Sequence, residues 1–232
     1  MKKKTIIESI LDAVTFLTII LTFLFAVVGI AFNIIYIKTP VKGYSMSPTL
    51  NKTVPNEDID GDVVFINRFA NVKLNNIAVA NVSWWTKGPI IKRVVATPGD
   101  VFQIKDETNK FTLYVNGKEL YSKEKTTISE HGIPGGTVAY YNLYLDFISN
   151  PENSNNVINI NGENYILMLE NQYMLLGDNW SESEDCLQHG PVTKADIVGK
   201  VDIIVEYGGS PTWAMIKEMI KLAFVPNWII EK

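Results

Sequence analysis

The chain has 232 residues, 47% of them hydrophobic and 20% charged, with a net charge of −4, one cysteine and two histidines. That length suffices for one or two domains with a real core, and the composition excludes a disordered chain. A pI near 5.3 gives no basic stripe for nucleic acid. The single Cys excludes a disulfide framework or a Cys-rich zinc site, and no His-Glu-x-x-His string offers zincin chemistry.

The apolar residues are unevenly spread. From Ala13 to Ile37 no residue is charged, and only Thr15, Thr18, Thr22, Gly29 and Asn33 interrupt the apolar run. A helix of about 20 residues crosses a hydrocarbon core of roughly 30 Å, so this stretch is long enough to span. Lys2, Lys3 and Lys4 precede it and favour a cytoplasmic N-terminus, although Lys38 and Lys42 follow it. A cleaved signal peptide would carry a shorter apolar region ending in a small-x-small site. Gly29-Ile30-Ala31 is a weak match, but the run continues past it, which favours an uncleaved anchor. Residues 1–42 carry five lysines against Glu8 and Asp12, a net +3, so the remainder carries −7.

Beyond Pro40 the texture changes to short β-branched runs separated by turn signals. Residues 62–66, 76–82 and 89–95 read as strands, as do 111–115, 165–169, 173–176 and 197–205. Asn116-Gly117 and Asn161-Gly162 are hairpin signals, because both residue types tolerate positive φ. Residues 122–163 carry less signal; His131–Gly136 and Asn150–Asn156 read as exposed loops of a peripheral insertion. Ser210-Pro211 reads as a helix start and Pro226 as its stop, and the three charges between them disfavour a membrane span. That amphipathic helix suits either a lipid interface or the flank of the β domain, and Trp84, Trp85 and Trp228 fit the same two settings.

Three strings carry candidate chemistry. Gly43-Tyr44-Ser45-Met46-Ser47-Pro48-Thr49-Leu50 follows the span closely. On the strand 89–95, Lys92 shares its face with Ile90 and Val94 while Arg93 points with Ile91 and Val95. A lysine so placed ordinarily snorkels to water. If buried, it loses basicity, at about 1.4 kcal/mol per pKa unit, and a neutral amine beside a hydroxyl can act as a general base. The third string, Gly177 to Val192, is rich in small and acidic residues and by itself reads as a rigid polar turn.

Taken together and in order, these strings resemble the type I signal peptidases, membrane-bound Ser-Lys proteases that remove signal peptides from exported proteins. The resemblance runs through Ser45-Met46-Ser47-Pro48-Thr49, Gly61-Asp62-Val63-Val64 and Lys92–Asp100. It continues through Leu113-Tyr114-Val115-Asn116-Gly117 and the set Gly177-Asp178-Asn179, Ser183, Asp185 and Gly190. It implies Ser45 as nucleophile, Lys92 as general base, and Ser183 as the hydroxyl that orients the lysine. Asp178, Arg93 and Asp185 match supporting positions, and the Ser45 backbone N–H matches the oxyanion donor. Gly43, where some relatives place a second hydroxyl, and Met46 match positions next to the oxyanion or substrate. The sequence departs from the family pattern at Ala96, Trp180, Cys186 and Leu187. Leu187 stands where an Arg is expected to pair with Asp185, so that carboxylate needs another donor, with Gln188 and His189 as candidates.

The expected architecture is a mainly β catalytic domain of antiparallel sheets, with one N-terminal transmembrane helix and a C-terminal amphipathic helix. Its expected divisions are a cytoplasmic N-terminus (1–12), an anchor (13–37), a catalytic core (38–100 and 173–209), a β-rich insertion (101–172) and a C-terminal helix and tail (210–232). Expected partners are preprotein signal peptides and the lipid bilayer, with the catalytic domain outside the cell membrane. No metal, cofactor or nucleic acid is expected. A Ser-His-Asp triad built on His131 or His189, or a Cys186/His189 pair, lacks the surrounding motif of either chemistry. A catalytically silent relative, or one dedicated to pilin-like surface proteins, is the alternative from another class.

Overall fold

The computed structural model describes residues 5–55 and 58–224, and of helical side chains those up to residue 221. The readings that involve Lys2, Lys3, Lys4, Pro226 and Trp228 lie outside the described residues. The chain divides into two compact units, one of residues 1–37 with 210–232 and one of residues 38–209.

The first unit is helical. Helix α1 (Ile6–Ile35) starts at a capping box, in which Thr5 Oγ1 accepts from Glu8 N while Glu8 Oε2 accepts from Thr5 N. Among the described residues it is the one helix long and apolar enough to cross a membrane. Thr18, Thr22 and Asn33 bond back to carbonyls one turn earlier, so these polar side chains need no water. Near the C-terminus a second helix (Pro211–Phe224) begins at Ser210, whose Oγ accepts from Trp213 N. It groups with α1 rather than with the β unit. Met219 there reaches the bare face of Gly29, where a Cβ would lie 3.3 Å from its terminal methyl.

The second unit is mainly β. Its strands are β1 (Tyr36–Pro40, beginning two residues inside the first unit), β2 (Val63–Asn67), β3 (Ile77–Ala80), β4 (Ile90–Ala96), β5 (Val101–Asp106) and β6 (Lys110–Val115). They continue with β7 (Lys118–Glu124), β8 (Val157–Ile160), β9 (Glu163–Leu167), β10 (Gln172–Leu176), β11 (Val192–Thr193) and β12 (Ile197–Val205). A helix α2 (Gly136–Ser149) and a short α3 (Cys186–His189) lie between them, and the C-terminal helix above is α4. One sheet runs β1-β2-β12-β3-β4-β10-β11 and the other β7-β6-β5-β9-β8. The registers are antiparallel in both. Asn116-Gly117 and Asn161-Gly162 turn the β6–β7 and β8–β9 hairpins, all four residues at positive φ. The mainly β fold with a helix at each end is therefore the one expected.

The loops His131–Gly136 and Asn150–Asn156 are largely exposed, as read, but the residues between them form a helix that the sequence reading did not place. Helix α2 buries Thr137, Tyr140, Tyr144 and Phe147, which recur at helical spacing. These aromatics join one continuous core with Val94, Phe102, Leu113 and Met174, drawn from both sheets, and with Trp180 from the segment after β10. The segment therefore belongs to the core that supports the candidate site.

Candidate active site

Three segments converge. The first is the turn that carries Ser45, fastened below by Asn51 and Asp62. Asn51 Nδ2 donates to the carbonyls of Val41 and Gly43, and the Asn51 and Asp62 backbone amides donate reciprocally to each other's side chains at 2.8 Å. Asp62 Oδ1 also accepts from Tyr207 N, so its carboxylate binds the turn to the end of β12. Leu50 and Met46 point into the core at 0% and 2% exposure, anchoring the turn on either side of a Ser47–Pro48 cis peptide. Met46, matched to a substrate-adjacent position, thus has its side chain in the core. Gly43 sits at φ 77° with open space beyond its Cα.

The second segment is β4. Lys92 pairs with Ala78 of β3, and Arg93 lies opposite Leu176 of β10. The alternation puts Lys92 on the buried face, 4% exposed, instead of snorkelling to water. Lys92 Nζ donates to Ser45 Oγ at 2.6 Å. Burial depresses the Lys92 pKa below 10.5, against the opposing pull of Asp185, Cys186, Glu184 and Asp178.

The third segment leaves β10 at Gly177. Its path is close: a Cβ on Gly177 would overlap Ser183 Oγ and lie 2.5 Å from the Ser45 carbonyl oxygen. Only glycine lets the two serine-bearing segments approach this far. Asn179 N donates to Ser45 O at 3.0 Å and completes the junction. Asp178 accepts two bonds from Arg93, Nε to Oδ1 at 2.7 Å and Nη2 to Oδ2 at 2.5 Å, and a third from Thr49 Oγ1. The Arg93 pKa rises, principally because of the Asp178 hydrogen bond. This bidentate pair ties β4, the Ser45 turn and the third segment at one point.

Asp185 is completely buried. Its Oδ2 accepts from Ser183 Oγ at 2.5 Å, Tyr140 Oη at 2.7 Å and Gly177 N at 2.9 Å, and Oδ1 accepts from Leu187 N at 3.1 Å. The donor that takes the place of the absent Arg is thus Tyr140, from α2. Gln188 instead accepts from the Asp185 backbone amide, and His189 pairs with Glu184 at 2.9 Å. Tyr140 was invisible to motif reading because it lies 45 residues from Asp185 in sequence. Its signal was the helical spacing of Tyr140, Tyr144 and Phe147. Ser183 spends its proton on Asp185, which leaves its oxygen lone pairs for other donors.

The departures from the family pattern have structural places. Trp180 stacks on Tyr140 with ring centroids 5.0 Å apart and is 2% exposed. Cys186 is fully buried, and burial pushes its thiol up to about 12, which keeps it protonated and inert at neutral pH. Ala96 packs at 0% exposure where β4 meets β10, opposite Met174. Leu187 fills the core at 3% exposure.

The arrangement places a hydroxyl, a desolvated amine and a buried carboxylate network within one junction, which is a setting for proton transfer from Ser45 to Lys92. Comparison with known proteins finds relatives among the signal peptidases. A signal peptidase IB of Staphylococcus aureus is 28% identical over 188 residues, covering 75% of this chain and 83% of that protein. A signal peptidase I of Streptococcus pneumoniae is 29% identical over 174 residues, covering 69% and 77%. The crystal structure of a signal peptidase I from Enterococcus faecalis aligns with a TM-score of 0.35 at 20% identity, over 57% of this chain and 98% of that one. The model of the family described as signal peptidase, peptidase S26, matches residues 11–206, which takes in the junction and nearly all of both sheets. The chain belongs to that signal peptidase family of proteases.

Proposed function

We propose that this protein is a membrane-anchored serine endopeptidase that cleaves signal peptides from exported preproteins with a Ser45–Lys92 dyad. The observation that carries the reading is the 2.6 Å contact between Lys92 Nζ and Ser45 Oγ, with the lysine 4% exposed. With the amine neutral, the Ser45 O–H donates to Nζ across the same contact. Oγ attacks the scissile carbonyl as its proton passes to Lys92, and the Ser45 backbone N–H faces the developing oxyanion. The resulting ammonium hands that proton to the leaving amine, which leaves an acyl-enzyme. Neutral Lys92 then takes a proton from water as its oxygen attacks the acyl carbon, and the ammonium returns that proton to Ser45 Oγ as the C–Oγ bond breaks, releasing the acid and restoring both groups.

Supporting roles follow from the bonds on the page. Arg93 and Asp178 fix β4 against the Ser45 turn, and Asp185 holds Ser183 and the Gly177 amide. Ser183, whose own proton goes to Asp185, is the hydroxyl that the family resemblance assigns to orienting the lysine. The substrate is an extended segment that adds to a strand edge, with small side chains at the cleavage point. Lys2–Lys4 before α1 favour a cytoplasmic N-terminus and a β unit on the outer face of the cell membrane.

Cleavage of a model preprotein by the detergent-solubilised full chain, beside Ser45→Ala and Lys92→Ala, tests this reading. Processing by the unaltered chain alone is expected. Equal processing by all three sinks the dyad, and binding without processing by any indicates a silent relative.

A further inference from the structure

Neither histidine takes part in the proposed chemistry, yet His131 touches both catalytic segments. It lies in the Ser129–Pro134 loop between β7 and α2. Its ring stacks on Tyr44, with centroids 4.1 Å and planes 9° apart. Its Nδ1 lies 2.8 and 2.9 Å from the two carboxylate oxygens of Glu182. Tyr44 immediately precedes Ser45, and Glu182 immediately precedes Ser183.

Each contact is held from behind. The Glu182 side chain is 6% exposed, and burial raises its pKa, but hydrogen bonds from Ser129 and His131 outweigh this and bring it below the ordinary value. Glu182 is thus an ionised carboxylate that only accepts, so His131 Nδ1 must be the donor. Tyr44 is fixed at its far end, where its hydroxyl donates to Val54 O at 3.2 Å. The loop is braced as well: Ser129 Oγ accepts from the amides of His131 and Ile133, and Ser129 N donates to Ile133 O. The loop backbone is thus braced, while the imidazole, 41% exposed, is held by its stack on Tyr44 and its bond to Glu182.

We propose that His131 is a positioning residue for the cleavage reaction: stacked on Tyr44 and bonded to Glu182, its ring sets the separation of the Ser45 and Ser183 segments and so keeps Ser45 in register with Lys92. The inference rests on the Ser45–Lys92 reading. A spacer of this kind acts on the chemical step, whereas a loop that merely walls the substrate channel acts on binding.

The test uses the full chain in detergent and a signal-peptide-derived substrate, with kcat and KM measured separately for His131→Ala, His131→Asn and His131→Phe. Asn keeps a donor near the Nδ1 position and Phe keeps the stacked ring. His131→Ala should lower kcat roughly tenfold with KM within about twofold, a fraction of the hundredfold that a misplacement of about 1 Å costs. His131→Asn and His131→Phe should each recover part of that loss. Unchanged kcat in His131→Ala, a loss confined to KM, or no recovery by either conservative variant would overturn the proposal. If His131→Ala does not fold, the other two decide: a reduced kcat at constant KM in both supports it, and wild-type kcat in both overturns it. An unaltered chain without Ser45-dependent cleavage refutes the functional reading itself. Ser45-dependent cleavage indifferent to His131 refutes only this inference.

Discussion

Tyr140→Phe removes one hydrogen-bond donor from the most enclosed carboxylate in the β unit. Asp185 is 0% exposed, and among the bonds to its carboxylate the one from Tyr140 Oη at 2.7 Å is the contribution from α2. Tyr140 is itself 1% exposed, so water has no room to replace the lost hydroxyl. A hydrogen bond to a charged group is worth about 1.5–3 kcal/mol. At about 2–4 °C per kcal/mol for a domain of this size, the expected loss is roughly 3–12 °C in Tm. Tyr144→Phe is an internal control on the same helix, because its hydroxyl meets neutral backbone groups, of Asn164 at 3.4 Å and of Ile104, and no charged side chain. Neutral hydrogen bonds are worth about 0.5–1.5 kcal/mol, so its removal should cost less than that of the Tyr140 hydroxyl. Urea unfolding of the solubilised chain, followed by tryptophan fluorescence, measures both, with Trp180 stacked on Tyr140 as a local reporter. Equal costs for the two variants would refute the claim that Tyr140 supplies the donor Asp185 needs.

Gly177→Ala should lower kcat by about a hundredfold, since the added methyl forces apart the Ser45 and Ser183 segments; a steady-state assay showing full activity would contradict the close approach. Asp178→Ala should cost about 3 kcal/mol in urea unfolding, the low end for removing one partner of a buried pair, because Arg93 is left 16% exposed without its carboxylate. A maleimide should neither label Cys186 in the folded chain nor inhibit cleavage, since the thiol is buried and protonated at neutral pH. Rapid labelling with loss of activity, followed by mass spectrometry, would show otherwise.

The sequence was most informative where local chemistry dictates the backbone. Asn-Gly pairs demand positive φ, so both hairpins were legible, and the nine-residue β12 was legible from its β-branched run. The face of Lys92 followed from strand alternation, but its burial did not, because alternation cannot distinguish a lysine enclosed by a second segment from one that snorkels. Its partner Ser45 and the acidic residues that act on its charge, Asp185 foremost, are brought to it by tertiary packing. Helix α2 was missed because its aromatics are moderate helix formers between a Gly-Pro loop and an Asn-rich 3₁₀ turn. With α2 unseen, Tyr140 could not be proposed, and the search for a donor to Asp185 stayed with its sequence neighbours. The missing Arg was compensated from across the core, a distance that motif spacing does not span.

The central claim is that Lys92 accepts the Ser45 proton as a neutral amine, and the pH dependence of kcat/KM tests it most directly. Burial lowers the Lys92 pKa, so below that value the amine is protonated and cannot act as base, and above it the amine is free. Activity should therefore rise with pH through a single limb centred below the 10.5 of an unperturbed lysine. Folding stability should climb over the same window, between the folded pKa and 10.5, because there the unfolded chain binds the proton that the folded chain has lost. A limb centred at or above 10.5, or a profile flat through the alkaline range, would contradict a desolvated Lys92 acting on Ser45.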